Sequence, residues 1–396
     1  MPDVRLAWIS THPIQYQAPL LRAIAAAPGI SLTALFFSDF SVRNYFDREM
    51  AHAVEWDVPL LDGYRYEFLP RTGVWPLFSG LARRLTREHF DVVLVQGWNH
   101  YGYPLAAWLA KRAGLKVLMR CEAARHVASA TGFRGFARRA FVSWMLGKID
   151  RFLAIGTSNR EFYLSWGISP ERIGNMPYAV DNEFFRGRAT AADREALRTS
   201  LGLTPGRPVI LFAGKLIVRK RADDLLEAYQ RLSTDGREPH PYLLFIGDGE
   251  LRPVLEREIA KLGWQSARML GFKNQNELPH YYALADVFVL PSLNETWGLV
   301  VNEAMNAGCA IVVSDQVGSG MDLVEDGVNG AKFPAGDIAG LTRALARTLE
   351  NAAYQKMGRK SMERIGRWGL PDNVAGLCEA LLRLDLPTPS NRVRPT

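Results

Sequence analysis

The stretch Asn294-Glu-Thr-Trp-Gly-Leu-Val-Val-Asn-Glu303-Ala-Met-Asn-Ala-Gly308 decides the fold, because a predicted strand leads into it and a predicted helix lies within it. Upstream, the apolar run Val287 to Pro291 predicts a buried strand that the proline ends. Asn294 or Thr296 can serve as N-cap of the helix, and Gly308 is a natural residue just past its end. Strand, loop and helix in this order are typical of parallel α/β domains, which bind ligands at the carboxyl ends of their strands.

The loop and first turn of this helix carry groups that suit a nucleotide. Backbone amides of a first turn lack partners within the helix and, with the helix dipole, attract a diphosphate. Glu303 follows about one and a half turns on, where its carboxylate could accept hydrogen bonds from ribose hydroxyls. The alternative is that Glu295 and Glu303 are ordinary solvated acids. The predicted nucleotide-binding residues of this stretch are Thr296, Trp297, Gly298, Leu299, Val300 and Glu303.

Further segments resemble one known family. They include Gly214-Lys215-Leu216 with Arg219-Lys220-Arg221, the turn Gly247-Asp248-Gly249, and Gly327-Val-Asn-Gly330, in the family's order. The chain resembles the retaining glycosyltransferases of the two-domain GT-B fold, family four, also called the group 1 glycosyltransferases. The resemblance covers residues 150 to 370 well and the first 120 loosely. It implies an α/β fold with two doubly wound Rossmann-like domains facing each other across a cleft.

Short apolar runs alternate with amphipathic segments along both halves of the chain, as two such domains require. The predicted strands are Val4 to Ser10, Leu32 to Ser38, Val92 to Gln96, Lys116 to Arg120 and Arg151 to Ile155 in the first half, and Val209 to Ala213, Tyr242 to Gly247, Arg268 to Phe272, Val287 to Pro291 and Ala310 to Ser314 in the second. We predict an N-terminal acceptor-binding domain over residues 1–180 and a C-terminal nucleotide-sugar-binding domain over residues 181–367. By resemblance, a last helix at about residues 368–386 packs back on the first domain. The tail, residues 387–396, has the composition of a disordered segment.

The loop after the strand 209–213 holds four cations in seven residues, which could neutralise a diphosphate leaving group. By resemblance, Lys220 takes the place of the family's diphosphate lysine and Lys215 that of its arginine. Lysine cannot form the two-pronged contact of a guanidinium with phosphate, so Arg219 or Arg221 could supply it. A solvated charge cluster is the alternative.

Two further positions belong to the predicted nucleotide site. Lys273 lies where the family borders the nucleobase, either as a base contact or as a surface residue. Gly247 is expected to permit a tight turn close to the nucleotide.

The first domain carries fewer matching residues. Glu122 stands near the place of a family histidine, where it could orient a sugar hydroxyl or take the acceptor proton, or else pair with Arg120 or Arg125. His12 and Gln15 follow a strand end and are predicted on the acceptor side. His100 is a further acceptor-side candidate, although its aromatic-rich loop could equally serve packing.

The formal charge of +7 lies entirely in the first half. Residues 1–180 carry 21 Lys and Arg against 14 Asp and Glu, the rest of the chain carries 27 of each, and residues 101–150 hold nine basic and two acidic residues. Such a surface could meet anionic lipid or a phosphorylated acceptor, whereas no nucleic-acid motif accompanies it. In the segment 132–152, Phe133, Phe136, Ala137, Ala140 and Trp144 share one helical face, which could lie on a membrane or pack on its own sheet.

The remaining composition narrows the class of protein. Three scattered cysteines indicate neither a disulfide framework nor a metal site, and no apolar run reaches the length of a membrane span. We therefore expect a cytoplasmic enzyme, possible peripheral contact with the inner membrane face, and no cofactor or metal ion.

The predicted function is a retaining glycosyltransferase. It would move a sugar from a nucleotide-diphosphate sugar to a hydroxyl of a saccharide or lipid-linked acceptor, in bacterial-type cell-surface glycan or glycolipid synthesis. Glu295 and Glu122 are the predicted catalytic residues. The alternatives are a nucleotide-sugar epimerase of the same fold and a nucleotide-sugar-binding protein without turnover.

Overall fold

A computed structural model describes most of the chain, in the ranges 3–50, 52–69, 74–123, 132–188, 190–233, 240–263 and 265–386. The predicted tail 387–396 and Arg125 lie outside these residues. The chain divides into two compact units. The first comprises Met1–Arg43, Pro59–Tyr178 and Leu370–Thr396, and the second comprises Asn44–Val58 and Ala179–Gly369.

The described strands are short and mostly buried. In chain order they are β1 Val4–Ser10, β2 Ile30–Phe36, β3 Tyr45–Asp47, β4 His52–Val54, β5 Arg65–Phe68, β6 Val92–Val95, β7 Lys116–Met119, β8 Arg151–Ala154, β9 Ile173–Asn175, β10 Val209–Ala213, β11 Tyr242–Ile246, β12 Ala267–Met269, β13 Val287–Leu290, β14 Ala310–Ser314 and β15 Gly330–Phe333.

The described α-helices cover the sheets. In chain order they are α1 Ala18–Ala25, α2 Val74–Arg84, α3 Gly102–Arg112, α4 Gly132–Leu146, α5 Thr157–Ser165, α6 Asn182–Gly187, α7 Ala191–Ser200, α8 Ala222–Ser233, α9 Arg252–Leu262, α10 Leu278–Leu284, α11 Leu299–Asn306, α12 Gly318–Leu323, α13 Ile338–Leu349, α14 Ala353–Ile365 and α15 Leu370–Leu382. Among the described residues, none of these helices is long and apolar enough to cross a membrane.

The first unit is built on a seven-stranded parallel sheet in the order β5-β2-β1-β6-β7-β8-β9. Strand order reverses between β1 and β6, so the loops after these two strands diverge and leave a crevice at their carboxyl ends. Apolar side chains of both sheet faces form the core, with Trp8, Phe36 and Phe152 fully buried.

The second unit repeats this arrangement with six parallel strands in the order β12-β11-β10-β13-β14-β15. Here the order reverses between β10 and β13, which places the loops of Lys220 and Glu295 on either side of that point. The α/β class predicted from the alternation of strands and helices is confirmed.

Most predicted strands agree with the structure, and three described strands of the two parallel sheets were not predicted. Five stretches fall within a few residues of their expected bounds in each half, and Val4–Ser10, Val209–Ala213 and Ala310–Ser314 agree at both ends. The three unpredicted strands are β5 and β9, at the two edges of the seven-stranded sheet, and β15, at one edge of the six-stranded sheet. They have three or four residues each, too few for a clear apolar pattern.

The units depart from the predicted division in one place. We expected residues 1–180 to lie together, whereas Asn44–Val58, which contains the antiparallel pair β3 and β4, lies in the second unit. At the other end, α15 lies in the first unit and packs on α1 and β9. Gly376 of this helix comes so close to β9 that an added Cβ would lie 1.8 Å from the carbonyl oxygen of Asn175.

Candidate functional site

A buried ion pair marks the point in the second unit where strand order reverses. Lys220 ends a 3₁₀ turn in the loop after β10 and pairs with the carboxylate of Glu295, which follows β13. Their side chains are only 11% and 13% exposed. The amide of Glu295 donates to the carbonyl of Gln316, and the amide of Gly318 donates to the carbonyl of Glu295. These bonds hold the loop after β13 against the loop after β14. The guanidinium of Arg219 lies 3.9 Å from the same carboxylate oxygen.

The helix after Glu295 begins later than predicted. Its N-cap is Gly298 with φ of 88°, and not Asn294 or Thr296, so α11 starts at Leu299. An added Cβ on Gly298 would lie 2.9 Å from the side chain of Leu290, so both conformation and space favour glycine. The amides of Leu299 and Val300 therefore lie in the first turn, where no carbonyl of the helix can accept from them. Gly308, with φ of 81°, follows the helix as predicted.

The Trp297 side chain serves packing. It is 3% exposed, its indole N–H donates to Asn302 at 2.9 Å, and its ring stacks on Trp368 with centroids 5.6 Å apart. Any contact of this residue with a ligand would therefore come from its backbone.

Glu303 lies on the buried face of α11. Its carboxyl accepts a hydrogen bond from the hydroxyl of Tyr282 at 2.7 Å, and the side chain is nearly inaccessible. Burial raises the pKa of Glu303 from 4.5 to about 7, although the bond from Tyr282 opposes the rise. Tyr282, at the end of α10, was not predicted, because an apolar helix end before a strand gives no sign of a polar role.

Lys215 is held by two carboxylates that were not predicted. Its ammonium lies 2.9 Å from Asp47 and 2.7 Å from Glu49, both in the segment Asn44–Val58. Burial lowers the pKa of Lys215, but the bonds to Glu49 and Asp47 outweigh it, so the pKa is raised. The guanidinium of Arg221 is occupied by Asp224.

Of the two arginines expected to compensate for Lys215, Arg219 is the accessible one. Its side chain is 47% exposed, whereas Arg221 adopts the left-handed conformation, with φ of 55°, and forks onto Asp224. Left-handed backbone at a non-glycine residue is uncommon and costs energy, and it clusters at functional loops.

The loops after β10, β11, β12 and β13 lie together, as predicted. Gly247 donates to Gly271, Leu216 donates to Asp248, and Leu293 donates to Arg219. Gly247 has φ of 131°, and an added Cβ would lie 1.9 Å from the oxygen of Gly214, which explains the glycine by close approach of two loops. Lys273, after β12, lies 3.3 Å from Glu277 and 5.2 Å from the centre of the Tyr281 ring.

In the first unit, two predicted histidines line one cavity. It has a volume of about 330 Å³ and lies where the loops after β1, β2 and β6 meet, lined by Thr11, His12, Phe37, Ser38, Phe40, Leu77, His100 and Tyr101. None of these lining side chains carries a permanent charge. Burial lowers the pKa of both His12 and His100. Gln15 lies in the same loop as His12 but is not among the lining residues.

Aromatic rings fix the two histidines. His100 stacks on Phe37 at 4.8 Å and on Tyr101 at 4.5 Å, and its Nδ1 accepts from the amide of Gly102. His12 packs edge-on against Phe40 at 5.6 Å. A neutral, ring-lined cavity of this kind suits a sugar or another polyol more than a phosphate.

Glu122, after β7, is held by two tyrosines and not by Arg120. Its carboxylate accepts from the hydroxyls of Tyr178 and of Tyr16, the latter at 3.3 Å. Arg120 instead donates to Met176, Pro177 and Asn373 and lies over the ring of Tyr178. Glu122 itself is exposed, so its carboxylate could reach a ligand.

Helix α4 exposes the aromatic face that the sequence predicts. Phe136 is 72% exposed and Trp144 43%, while Arg138 and Arg139 are also on the surface. The helix packs on its unit through Val142, Met145 and Leu146, which are nearly inaccessible. Phe136, Ala137, Ala140 and Trp144 are therefore exposed and do not pack on the sheet, while the side chain of Phe133 lies outside the described residues.

Two sequence families match consecutive parts of the chain. Residues 193–366 match the family described as glycosyl transferases group 1, and residues 15–179 match the glycosyl transferase 4-like domain. An alpha-D-kanosaminyltransferase of Streptomyces kanamyceticus is 29% identical over 218 residues, covering 52% of this chain and 54% of that protein. A D-inositol 3-phosphate glycosyltransferase of Nocardia farcinica is 27% identical over 371 residues, covering 90% and 76%. The chain thus spans about half the length of the first and three quarters of the second.

A solved structure shares the fold over nearly the whole chain. Anabaena Alr3699/HepE in complex with UDP and glucose aligns with a TM-score of 0.72 at 16% identity, covering 96% of this chain and 100% of that one. Identity this low shows the fold alone. The prediction of a two-domain glycosyltransferase fold is confirmed.

Proposed function

Because the chain belongs to the group 1 glycosyltransferases, we propose that it moves a sugar from a nucleotide-diphosphate sugar to a hydroxyl acceptor, with retention at the anomeric carbon. The observation that carries the proposal is the buried pairing of Lys220 with Glu295 where strand order reverses in the second unit. This is the place where open parallel sheets bind ligands. A cation for the leaving diphosphate and a carboxylate for the sugar meet there.

The proposed reaction needs no protein nucleophile. The bond between the anomeric carbon and the diphosphate oxygen breaks, and the acceptor oxygen forms the new bond on the same face of the sugar. The acceptor proton passes to the departing phosphate oxygen, so charge balances without a covalent intermediate. Lys220 would stabilise the negative charge as it develops on the phosphate, and Glu295, released from Lys220, would accept hydrogen bonds from the sugar.

Backbone amides complete the proposed diphosphate site. Leu299 and Val300 present first-turn amides with the positive end of the α11 dipole behind them. Arg219 is the exposed guanidinium that can make the two-pronged contact Lys215 cannot. We expect these groups to act in place of a metal ion.

Glu303 and Lys273 are proposed at the nucleoside end. A carboxyl that accepts from Tyr282 through one oxygen keeps the other for a ribose hydroxyl. Lys273 follows β12, in the loop whose backbone would border the base.

We place the acceptor in the first unit. The cavity with His12 and His100 would bind the sugar-like part that carries the reacting hydroxyl. Gln15, in the same loop as His12, is proposed on the acceptor side outside this cavity. Glu122, oriented by Tyr16 and Tyr178, would hydrogen-bond an acceptor or donor hydroxyl. A saccharide or lipid-linked acceptor in the synthesis of a cell-surface glycan fits these groups.

The exposed face of α4 is proposed to rest on an anionic membrane that displays the acceptor. Phe136 and Trp144 would enter the interface, while Arg138 and Arg139 would meet lipid phosphates. Such peripheral contact needs no spanning helix.

The proposed function is tested by incubating the protein with UDP-, GDP- and dTDP-sugars and measuring nucleotide release with and without mixed saccharide and lipid-linked acceptors. We expect release from one donor class, dependent on acceptor and insensitive to chelator. Lys220→Ala should lower the rate at least about a hundredfold. The control is Lys332→Ala, an exposed lysine of β15 in the same unit, which should leave the rate unchanged.

Three outcomes contradict the proposal. Donor conversion without acceptor would indicate an epimerase. Donor binding without nucleotide release would indicate a binding protein. Strict dependence on added manganese would reject the metal-independent mechanism.

A further inference from the structure

The segment Asn44–Val58 contributes side chains to the proposed nucleotide site from far along the chain. Asp47 and Glu49 bind the ammonium of Lys215, 168 and 166 residues away in sequence, at 2.9 and 2.7 Å. The Asp47 side chain is 15% exposed and that of Glu49 52%. Two of the three N–H groups of the Lys215 ammonium are thus bonded to carboxylates of this segment.

The same segment is anchored at the loop after β12. Asn274 donates to the carbonyl of Glu55 at 2.6 Å, and Asn276 donates to the carbonyl of Asp57 at 2.6 Å. The ring of His52 packs against Phe272 with centroids 5.2 Å apart. The segment therefore spans from the proposed diphosphate loop to the loop proposed to border the nucleobase.

A cavity of about 810 Å³ opens beside this segment. Arg48 and Glu49 form one wall, and the loops after β10 and β11 form the others, with Arg219 and Arg252 among the lining residues. A volume of this order is that of a typical small-molecule site. Of the two carboxylates at Lys215, Glu49 lines this cavity.

Lys215 and its two carboxylates form an anionic cluster that repels a diphosphate, although the cation Arg219 lines the same cavity as Glu49. One ammonium with two carboxylates has a net charge of −1, and a diphosphate is itself an anion. A donor that takes Lys215 must use the third N–H of its ammonium or displace a carboxylate. In either case its phosphates lie near both carboxylates, where like charges repel. Lys220 is in a different position, because its single carboxylate, Glu295, is proposed to find a new partner in the sugar.

We propose that Asp47 and Glu49 set the affinity for the nucleotide diphosphate by competing with it for the ammonium of Lys215. This inference rests on the proposed function of the second unit as the donor site. The competition weakens binding of the donor and helps release of the nucleoside diphosphate product, because the carboxylates recapture Lys215 as the product leaves. Both residues act through Lys215 and are therefore positioning residues.

The test measures binding of UDP, GDP and dTDP by calorimetry to the full-length wild type and to Asp47→Asn/Glu49→Gln. The variant keeps the shape of both side chains and removes two negative charges. We expect the dissociation constant of the preferred diphosphate to fall about three- to tenfold. Binding of the corresponding nucleoside, which has no phosphate, should not change.

Two controls assign the effect to Lys215. Glu55→Gln removes an exposed charge from the same segment, whose side chain is not among the partners of Lys215, and should leave the constant unchanged. In a Lys215→Ala background, the double substitution should tighten binding of the diphosphate by less than half of the factor that it gives in the wild type. If the double variant loses stability on heating, Glu49→Gln alone, at the more exposed carboxylate, provides the same comparison.

The outcomes separate this inference from the proposed function. A wild type that binds none of the diphosphates would reject the donor site itself. A wild type that binds one of them, together with a double variant whose constant is unchanged or raised, would reject the competition alone. An equal gain with Lys215 absent would show general repulsion and would also reject it.

Discussion

The two units share one topology and differ in the chemistry placed at the same point of it. In each, strand order reverses beside the first strand, between β1 and β6 in one and between β10 and β13 in the other. In the second unit that point holds the buried pair Lys220 and Glu295. In the first it holds a cavity with His12 and His100 and no permanently charged lining residue. Topology thus supplies the position of a site, and the loop residues decide what it can bind.

The difference extends to how the groups are held. Charged side chains of the second unit are held by one another, so a ligand must exchange for an existing partner. In the first unit, His100 is held by ring stacking and a backbone amide, and His12 by an edge-on contact with Phe40 and a hydrogen bond between its Nδ1 and the Thr11 hydroxyl. We infer that substitutions of the charged residues in the second unit mainly change the turnover rate. Substitutions of the cavity residues in the first unit should mainly change the affinity for the acceptor.

The largest expected effect is at Glu295. Glu295→Gln should lower turnover about a hundredfold or more while changing the donor's Michaelis constant little, because its contact with the sugar strengthens as positive charge develops on the ring. Steady-state kinetics with the identified donor provide the measurement. Glu258→Gln, in a surface pair with Lys261, is the matched control. An equal effect of Glu295→Gln on both constants would make it a ground-state binding residue.

The second prediction concerns stability and pH. Because the pKa of Glu303 is raised from 4.5 to about 7, the fold favours the protonated carboxyl. Its contribution is fully present below pH 4.5 and is lost as pH rises through about 7. Glu303→Gln, always neutral, removes this dependence. Between about pH 5 and about pH 8, the free energy of unfolding of the wild type should fall by about 2 to 3 kcal/mol relative to the variant.

Urea unfolding at the two pH values checks this difference. Parallel pH profiles for the wild type and Glu303→Gln would show that the Glu303 carboxyl titrates normally. The same variant should also bind the donor more weakly at pH 8, because the amide is a poorer acceptor for ribose hydroxyls than a carboxylate.

A smaller effect is expected in the cavity of the first unit. His12→Asn should raise the acceptor's Michaelis constant about five- to tenfold and leave that of the donor unchanged, because it removes one neutral hydrogen-bonding ring from the cavity. His89→Asn, an exposed histidine of the same unit, is the control. A change in donor constant alone would remove His12 from the acceptor side and end the contrast between the units.

The smallest effect is expected on the surface of α4. Arg138→Gln/Arg139→Gln should weaken binding to vesicles containing anionic lipid a few fold and flatten its dependence on salt, since the Debye length falls from about 10 Å at 0.1 M to about 3 Å at 1 M. Lys356→Gln/Arg359→Gln, exposed on α14, removes equal charge elsewhere. Equal binding of the wild type and both double variants to the vesicles would contradict the prediction and show that the basic residues of α4 serve another purpose.

Local patterns predicted the frame of both units. Apolar runs such as Val209–Ala213 are long enough to identify a buried strand, and the sequence order of loops then brings Lys220 and Glu295 to neighbouring strands. Glycines at 247 and 308 were predicted for the backbone reasons that the structure shows. The catalytic and binding roles of Lys220 and Glu295 stay predictions.

Contacts between residues far apart in the sequence were not predicted. Strands β3 and β4 have three residues each. Lys215, which binds Asp47 of β3, and Asn274, which binds Glu55 just after β4, follow more than 160 residues later. The N-cap of α11 was misplaced because a side-chain cap at Asn294 or Thr296 was assumed, whereas Gly298 turns the chain with a left-handed backbone. In both cases the deciding interaction depends on tertiary packing, which a linear pattern does not contain.

The placement of Asn44–Val58 in the second unit and of Leu370–Thr396 in the first means that the chain passes from one unit to the other four times. A chimera that joins this protein to a homologue at a single crossover near residue 179 would separate β3 and β4, and also α15, from the parts on which they pack. Exchange of whole modules therefore requires four junctions. Recombination can swap these halves intact only when the exchanged pieces follow the spatial boundaries of the units.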